Sequence, residues 1–233
     1  MKVRTAYEQE LTNLDEMVSA MGKTVGDALH SAILAWQNGN KDKAKAIMAA
    51  DEGVNQTEKQ IEHLCLTLLL RQTPVAWDLR RVSAALKMDT DLERIGDHAA
   101  IIKSTMEHIQ DKHLEFSEGA SREFDELLHL LECQFQLVYD ILADNSPERI
   151  QEATMRRSRL YEHLSASEQE HIARLSKGTC KPDVGLVFLE LLSEMRKIVR
   201  HFSNITDRAS KFYVRPGMSK DIGDATVETV VGA

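Results

Sequence analysis

From Tyr7 the apolar residues Leu11, Leu14, Val18, Met21, Val25, Ala28 and Ala32 follow at alternating steps of four and three. That spacing gathers all of them onto one stripe of an α-helix, whereas a strand would need a period of two. A stripe of this length has to be covered, and a chain that carries several must pack helix on helix. The pattern returns at Ile47, Ala50, Val54, Thr57, Ile61, Leu64 and Leu68, and again at Phe124, Leu128, Leu131, Phe135, Val138 and Leu142. It is longest near the end, running from Val184 through Phe188, Leu191, Met195, Ile198, Phe202, Ile205 and Ala209 to Phe212. With only 4 Pro and 11 Gly in 233 residues, few sites can interrupt such helices.

The interruptions divide the chain into six helices. Asn38-Gly39-Asn40 suits a helix end because Gly and Asn tolerate the left-handed cap conformation. Thr73-Pro74 and Ser146-Pro147 each place a capping hydroxyl before a proline at the first helical position, where its missing N–H costs nothing. Helix three is predicted to run to about Ile109, with the polar stretch Asp111 to Ala120 as a linker. The fifth helix has the poorest stripe, Ile150, Leu160, Leu164, Ile172 and Leu175, broken by Arg156, Arg157, Ser165 and Ser167. The halves resemble each other: Leu92-Glu93-Arg94-Ile95-Gly96-Asp97-His98-Ala99 lines up with Phe202-Ser203-Asn204-Ile205-Thr206-Asp207-Arg208-Ala209. The expectation is an all-α fold of two tandem antiparallel three-helix bundles, an internal duplication over residues 1–112 and 119–214, with a mobile tail at 215–233.

A net charge of -8 and the lack of a basic patch argue against nucleic-acid binding and against simple adsorption to anionic lipid. No stretch approaches the apolar length of a membrane helix, and the charged first ten residues do not resemble a signal peptide, so a cytoplasmic location is expected. Cys65, Cys133 and Cys180 are odd in number and widely spaced, as expected of reduced thiols.

Helix three carries one anomaly. Its stripe Leu79, Val82, Leu86 continues at the same spacing into Asp89, Glu93 and Asp97, so acids stand where apolar residues were due. Like charges at this spacing repel, and something must offset them. A hard cation would do so, with Asp51 and Asn55 on helix two as further oxygen donors and iron, zinc, manganese or magnesium as the candidate ion. A solvated face neutralised by Arg94 and Lys87 is the alternative. Other chemistry is thinly represented: Glu126 to His129 and Glu168 to His171 have the ExxH spacing of di-iron carboxylate oxidases, a remote reading, and no phosphate loop or nucleophile motif occurs. Arg71, Arg80 and Arg81 cluster beside the turn into helix three, where they could meet phosphate or a partner surface.

The run Thr73-Pro74-Val75-Ala76-Trp77-Asp78-Leu79-Arg80, then Leu86-Lys87 and Asp91-Leu92-Glu93-Arg94-Ile95-Gly96-Asp97-His98-Ala99, resembles the signature of the PhoU family of phosphate-transport regulators. The resemblance extends over nearly the whole chain and implies the duplicated three-helix fold. It also implies a cytoplasmic, non-enzymatic adaptor, homodimeric and peripheral to the membrane only through its partners. Those partners would be a phosphate ABC transporter and a sensor histidine kinase, with phosphate uptake and the phosphate-starvation response under negative regulation. Some members hold metal through paired E(D)xxxD motifs, which Glu93 and Asp97 match, with Asp51 and Asn55 as the helix-two counterpart. The second half departs from this pattern: Ser203 aligns with Glu93 and Val199 with Asp89, leaving Asp207, Glu194 and His201 as a weaker second set. That departure leaves room for a regulator of a sodium-phosphate cotransporter or a metal-free helical adaptor.

Overall fold

The computed structural model describes residues 2–38, 44–71, 76–143 and 146–212, which form six helices. They are α1 (Lys2–Asn38), α2 (Ala44–Arg71), α3 (Ala76–Asp111), α4 (Glu118–Ala143), α5 (Pro147–Ser176) and α6 (Pro182–Phe212). The expected cap at Gly39-Asn40, the Thr73-Pro74 start and the tail 215–233 lie outside the described residues, as do the side chains of Asp51 and Arg71. Ser146 does cap α5, its hydroxyl accepting the Arg149 N–H at 3.4 Å with Pro147 next in line.

Helices α1 to α3 pack on one another, α4 to α6 do the same, and the two triplets meet where α3 lies on α6 and α1 on α4. The stripe from Tyr7 to Ala32 is buried throughout, as is that from Val184 to Ala209. One continuous apolar core runs through both triplets, because Phe135 of α4 reaches α1 and Phe202 of α6. Gly26 makes this approach possible: a Cβ there would stand 2.4 Å from the Phe135 ring. The aligned pairs Leu92/Phe202, Ile95/Ile205 and Ala99/Ala209 are all buried, as a duplication requires.

Three sequence expectations need correction. The linker is shorter than Asp111 to Ala120, and it is not merely polar. Phe116 packs with Trp36 of α1, Phe124 of α4 and Phe188 of α6 at ring separations of 5.6, 6.1 and 5.2 Å. In α5 the stripe is broken because polar residues reach neighbouring helices: Ser167 donates to Glu123 at 2.9 Å and Arg196 donates to Ser165 at 3.3 Å. His171 takes the buried place expected of Ile172, which is exposed. Leu79 is likewise exposed, so the stripe of α3 begins at Val82.

Candidate functional site

Helix α3 touches α1, α2 and α6, so it is buried on several sides and presents no simple two-faced pattern. Two acids near its middle show the result. Asp89 and Asp91, about 200° apart around the helix, are both buried and face opposite neighbours.

Asp89 faces α2. It is 1% exposed, and its Oδ1 has no hydrogen-bond partner. Burial pushes its carboxyl up to about 8, and Glu58, Glu62 and Glu93 push in the same direction. One turn on, Glu93 is raised by burial first and then by Asp97, with Arg94 opposing and Glu58 adding. Asp97 is partly exposed and accepts from Arg94 at 3.2 Å, while Arg94 also stands 3.3 Å from Glu93. The acidic row therefore runs from a dry end at Asp89 to a wet, partly neutralised end at Asp97. The repeat identifies the dry end as anomalous, because the aligned residue in α6 is Val199, fully buried.

The helix-two members differ from expectation. Asn55 is half-buried, but the groups that act on Asp89 and Glu93 are Glu58 and Glu62. They were legible as a second acidic pair at i, i+4, three residues beyond Asn55 and thus on its side of α2. The donor set is all oxygen, which suits a hard cation. Among the described residues, no three His, Cys, Asp or Glu side chains converge on one point as they stand.

Asp207, Glu194 and His201 do not come together. Glu194 pairs with His98 at 2.7 Å and with Lys197, while Asp207 is exposed, 3.8 Å from Arg157. His201 donates through Nδ1 to Asp91 at 2.7 Å. These contacts form the seam between α3 and α6, where Asp91 also accepts from Asn204 at 2.9 Å and pairs with Arg208. The rings of His98 and His201 stack across the seam at 5.7 Å. Both imidazoles are held below their usual range by burial; in His98 the bond to Glu194 opposes this, and in His201 Arg200 and Arg94 add to it.

The arginine cluster also disperses. Arg81 is engaged by Asp15 and the Leu11 carbonyl of α1, and Arg80 is exposed. Neither ExxH pair converges: Glu126 leans toward His163 while His129 sits by Cys133, and Glu168 binds Arg196 while His171 stacks on Phe188.

A family model for the PhoU domain matches residues 18–105, which include the whole acidic row. The phosphate-specific transport system accessory protein PhoU homolog 1 of Thermotoga maritima is 22% identical over 218 residues, 91% of this chain and 89% of that protein. The PhoU protein of Escherichia coli is 33% identical over 127 residues, 53% of each chain. A crystal structure of PhoU from Pseudomonas aeruginosa superposes with a TM-score of 0.82 at 21% identity, covering 89% of this chain and 98% of that one. Residues 18–105 of this chain thus carry a PhoU domain match. The PhoU domain match ends within α3, so the half that retains Asp89, Glu93 and Asp97 is also the half that the family model matches.

Proposed function

We propose that this protein is a PhoU-family, non-catalytic accessory regulator of phosphate transport that restrains phosphate uptake and the starvation response when phosphate is plentiful. The alignment to the Thermotoga maritima transport accessory protein over about nine-tenths of both chains is the observation that carries this reading. In it the protein works from the cytoplasm, as a homodimer, by docking on a phosphate ABC transporter and a sensor histidine kinase. No helix among the described residues is long and apolar enough to cross a membrane, and the charge of -8 is unsuited to anionic lipid. Contact with the membrane then runs through protein partners. Deleting the gene is expected to turn on starvation genes in phosphate-rich medium; unchanged expression together with unchanged phosphate uptake would overturn the regulatory role.

The same reading gives the acidic row a cation. A buried carboxyl oxygen without a hydrogen-bond partner, with Glu58, Glu62 and Glu93 acting on it, is suited to a cation. Glu93, Asp97 and Asp89 of α3 would hold the ion, with Glu58, Glu62, Asn55 and Asp51 as donors from α2. A bound iron, zinc, manganese or magnesium ion would neutralise these charges and draw α2 and α3 together. Elemental analysis of protein purified without chelator or affinity-column metal is expected to find metal in the wild type and little in a Glu93→Ala, Asp97→Ala double variant. Equal content in both would reject this assignment. Arg94, which already pairs with Glu93 and Asp97, favours a second reading in which the wet end is a neutralised surface of a metal-free adaptor.

A further inference from the structure

The cations of this acidic chain are scattered in sequence, yet the fold gathers several of them along the seam between its halves. Lys197, Arg200, Asn204, Arg208 and Lys211 of α6 follow at steps of three, four, four and three, so they share one face of that helix. Arg80, Lys87 and Arg94 recur at every seventh residue of α3 and likewise share a face. The two faces adjoin. Arg208 donates to the Lys87 carbonyl at 3.3 Å and Asn204 to Asp91 at 2.9 Å, while Arg94 acts on the His201 imidazole and Lys197 on that of His98. The helices run antiparallel, Lys87 opposite Arg208 and His98 opposite Glu194, and at 1.5 Å per residue the strip is about 20 Å long.

Acids lie beneath this strip rather than on it. Asp91 and Glu194, paired with Arg208 and Lys197, have side chains only 7% and 8% exposed, whereas that of Lys197 is 41% exposed. Lys87, Arg200 and Lys211 are exposed, and among the described residues no carboxylate pairs with them. In a chain with 37 acidic and 29 basic residues, this local excess of surface cation is a product of the fold.

The strip is also narrow. Carboxylates open to solvent flank it: Asp207 beside Arg208, Asp97 beyond Arg94, and Glu190 seven residues before Lys197. A lipid surface or a nucleic-acid duplex would press its negative charge against these carboxylates as well as on the cations. A single acidic segment of a protein would not. Past the cations, the same two faces expose Ile101, seven residues after Arg94, and Leu186, eleven before Lys197. An amphipathic segment can lay apolar side chains against such residues.

We propose that this strip is the docking surface for an acidic, amphipathic segment of a protein partner, its carboxylates along the cations and its apolar end against Ile101 and Leu186. The proposal rests on the reading of the chain as an adaptor that works through protein partners, and it names the surface used. Exposed ion pairs of this kind steer encounter and fix register, and salt weakens them.

The test titrates the intact protein against a fluorescent synthetic peptide with glutamate at every third or fourth position and a leucine pair at one end, reading binding by anisotropy. Binding is expected at low salt and should weaken as salt rises. A Lys87→Glu, Arg200→Glu double variant, which disturbs no ion pair, is expected to lose affinity about tenfold. A Lys112→Glu, Lys177→Glu variant changes net charge equally outside the strip and is expected to bind as the wild type does. No binding by the wild type, equal loss in both variants, or tighter binding of the wild type to anionic phospholipid vesicles or duplex DNA would each overturn the proposal. In cells, the strip variant at wild-type abundance is expected to leave starvation genes on in phosphate-rich medium, as deletion does, and retained repression would overturn docking through the strip. A deletion without effect would instead remove the regulatory reading, and the peptide titration decides on the strip independently.

Discussion

Replacing Asp89 by Val, the residue its repeat carries at position 199, is expected to raise the unfolding temperature of metal-free protein at pH 8 by about 5 °C. That shift corresponds to roughly 1–3 kcal/mol in a chain of this size. The cause is a carboxyl that is 1% exposed and surrounded by Glu58, Glu62 and Glu93. Its folded pKa, pushed up to about 8, lies far above the unfolded value of 3.8. The folded state therefore holds the proton more tightly, and the stability this contributes is complete below about pH 4 and lost as pH rises through 8. Glu93, also raised, acts in the same direction. His98, His171 and His201, all lowered, act oppositely, favouring the folded state as pH rises. The difference between wild type and Asp89→Val removes these shared contributions and should grow from near zero at pH 4 to its full value at pH 8. Added divalent metal should reverse the ranking by stabilising only the wild type. Thermal melts in chelator across that pH range measure it, and a variant less stable than wild type at pH 8 would mean that Asp89 has a partner offsetting its burial.

The second large effect belongs to Asp91. Asp91→Ala is expected to destabilise the protein by about 3–5 kcal/mol, because it leaves Arg208 and His201 partly buried and unpaired. Asp91 holds three residues of α6 at once: His201 at 2.7 Å, Asn204 at 2.9 Å, and Arg208 by an ion pair. Removing Arg208 as well should recover part of the loss, and the cycle of single and double variants separates the pair from its surroundings. A loss below about 1 kcal/mol, the usual ceiling for an exposed ion pair, would show that apolar packing alone holds the seam.

These two residues also mark the limit of what could be read in the sequence. The stripes of α1, α4 and α6 were legible because the buried positions along them are apolar without a break, which a period of three and four reports directly. Helix α3 does not behave this way. With neighbours on three sides it buries Asp89 and Asp91 on opposite faces, and a single stripe can register only the first. Glu58 and Glu62 went unread because a pair of glutamates on a helix is ordinary, and only the buried carboxyl opposite gives them meaning. The aromatic contact of Phe116 was hidden by the polar composition around it.

The contact pattern of the six helices also decides which substitutions both halves must accommodate. Among the described residues, helices α1, α3, α4 and α6 make the main contacts across the halves, whereas α2 and α5 pack mainly within their own triplets. A substitution in one of the four inner helices is therefore felt by both halves at once, whereas one in α2 or α5 is felt first by its own triplet.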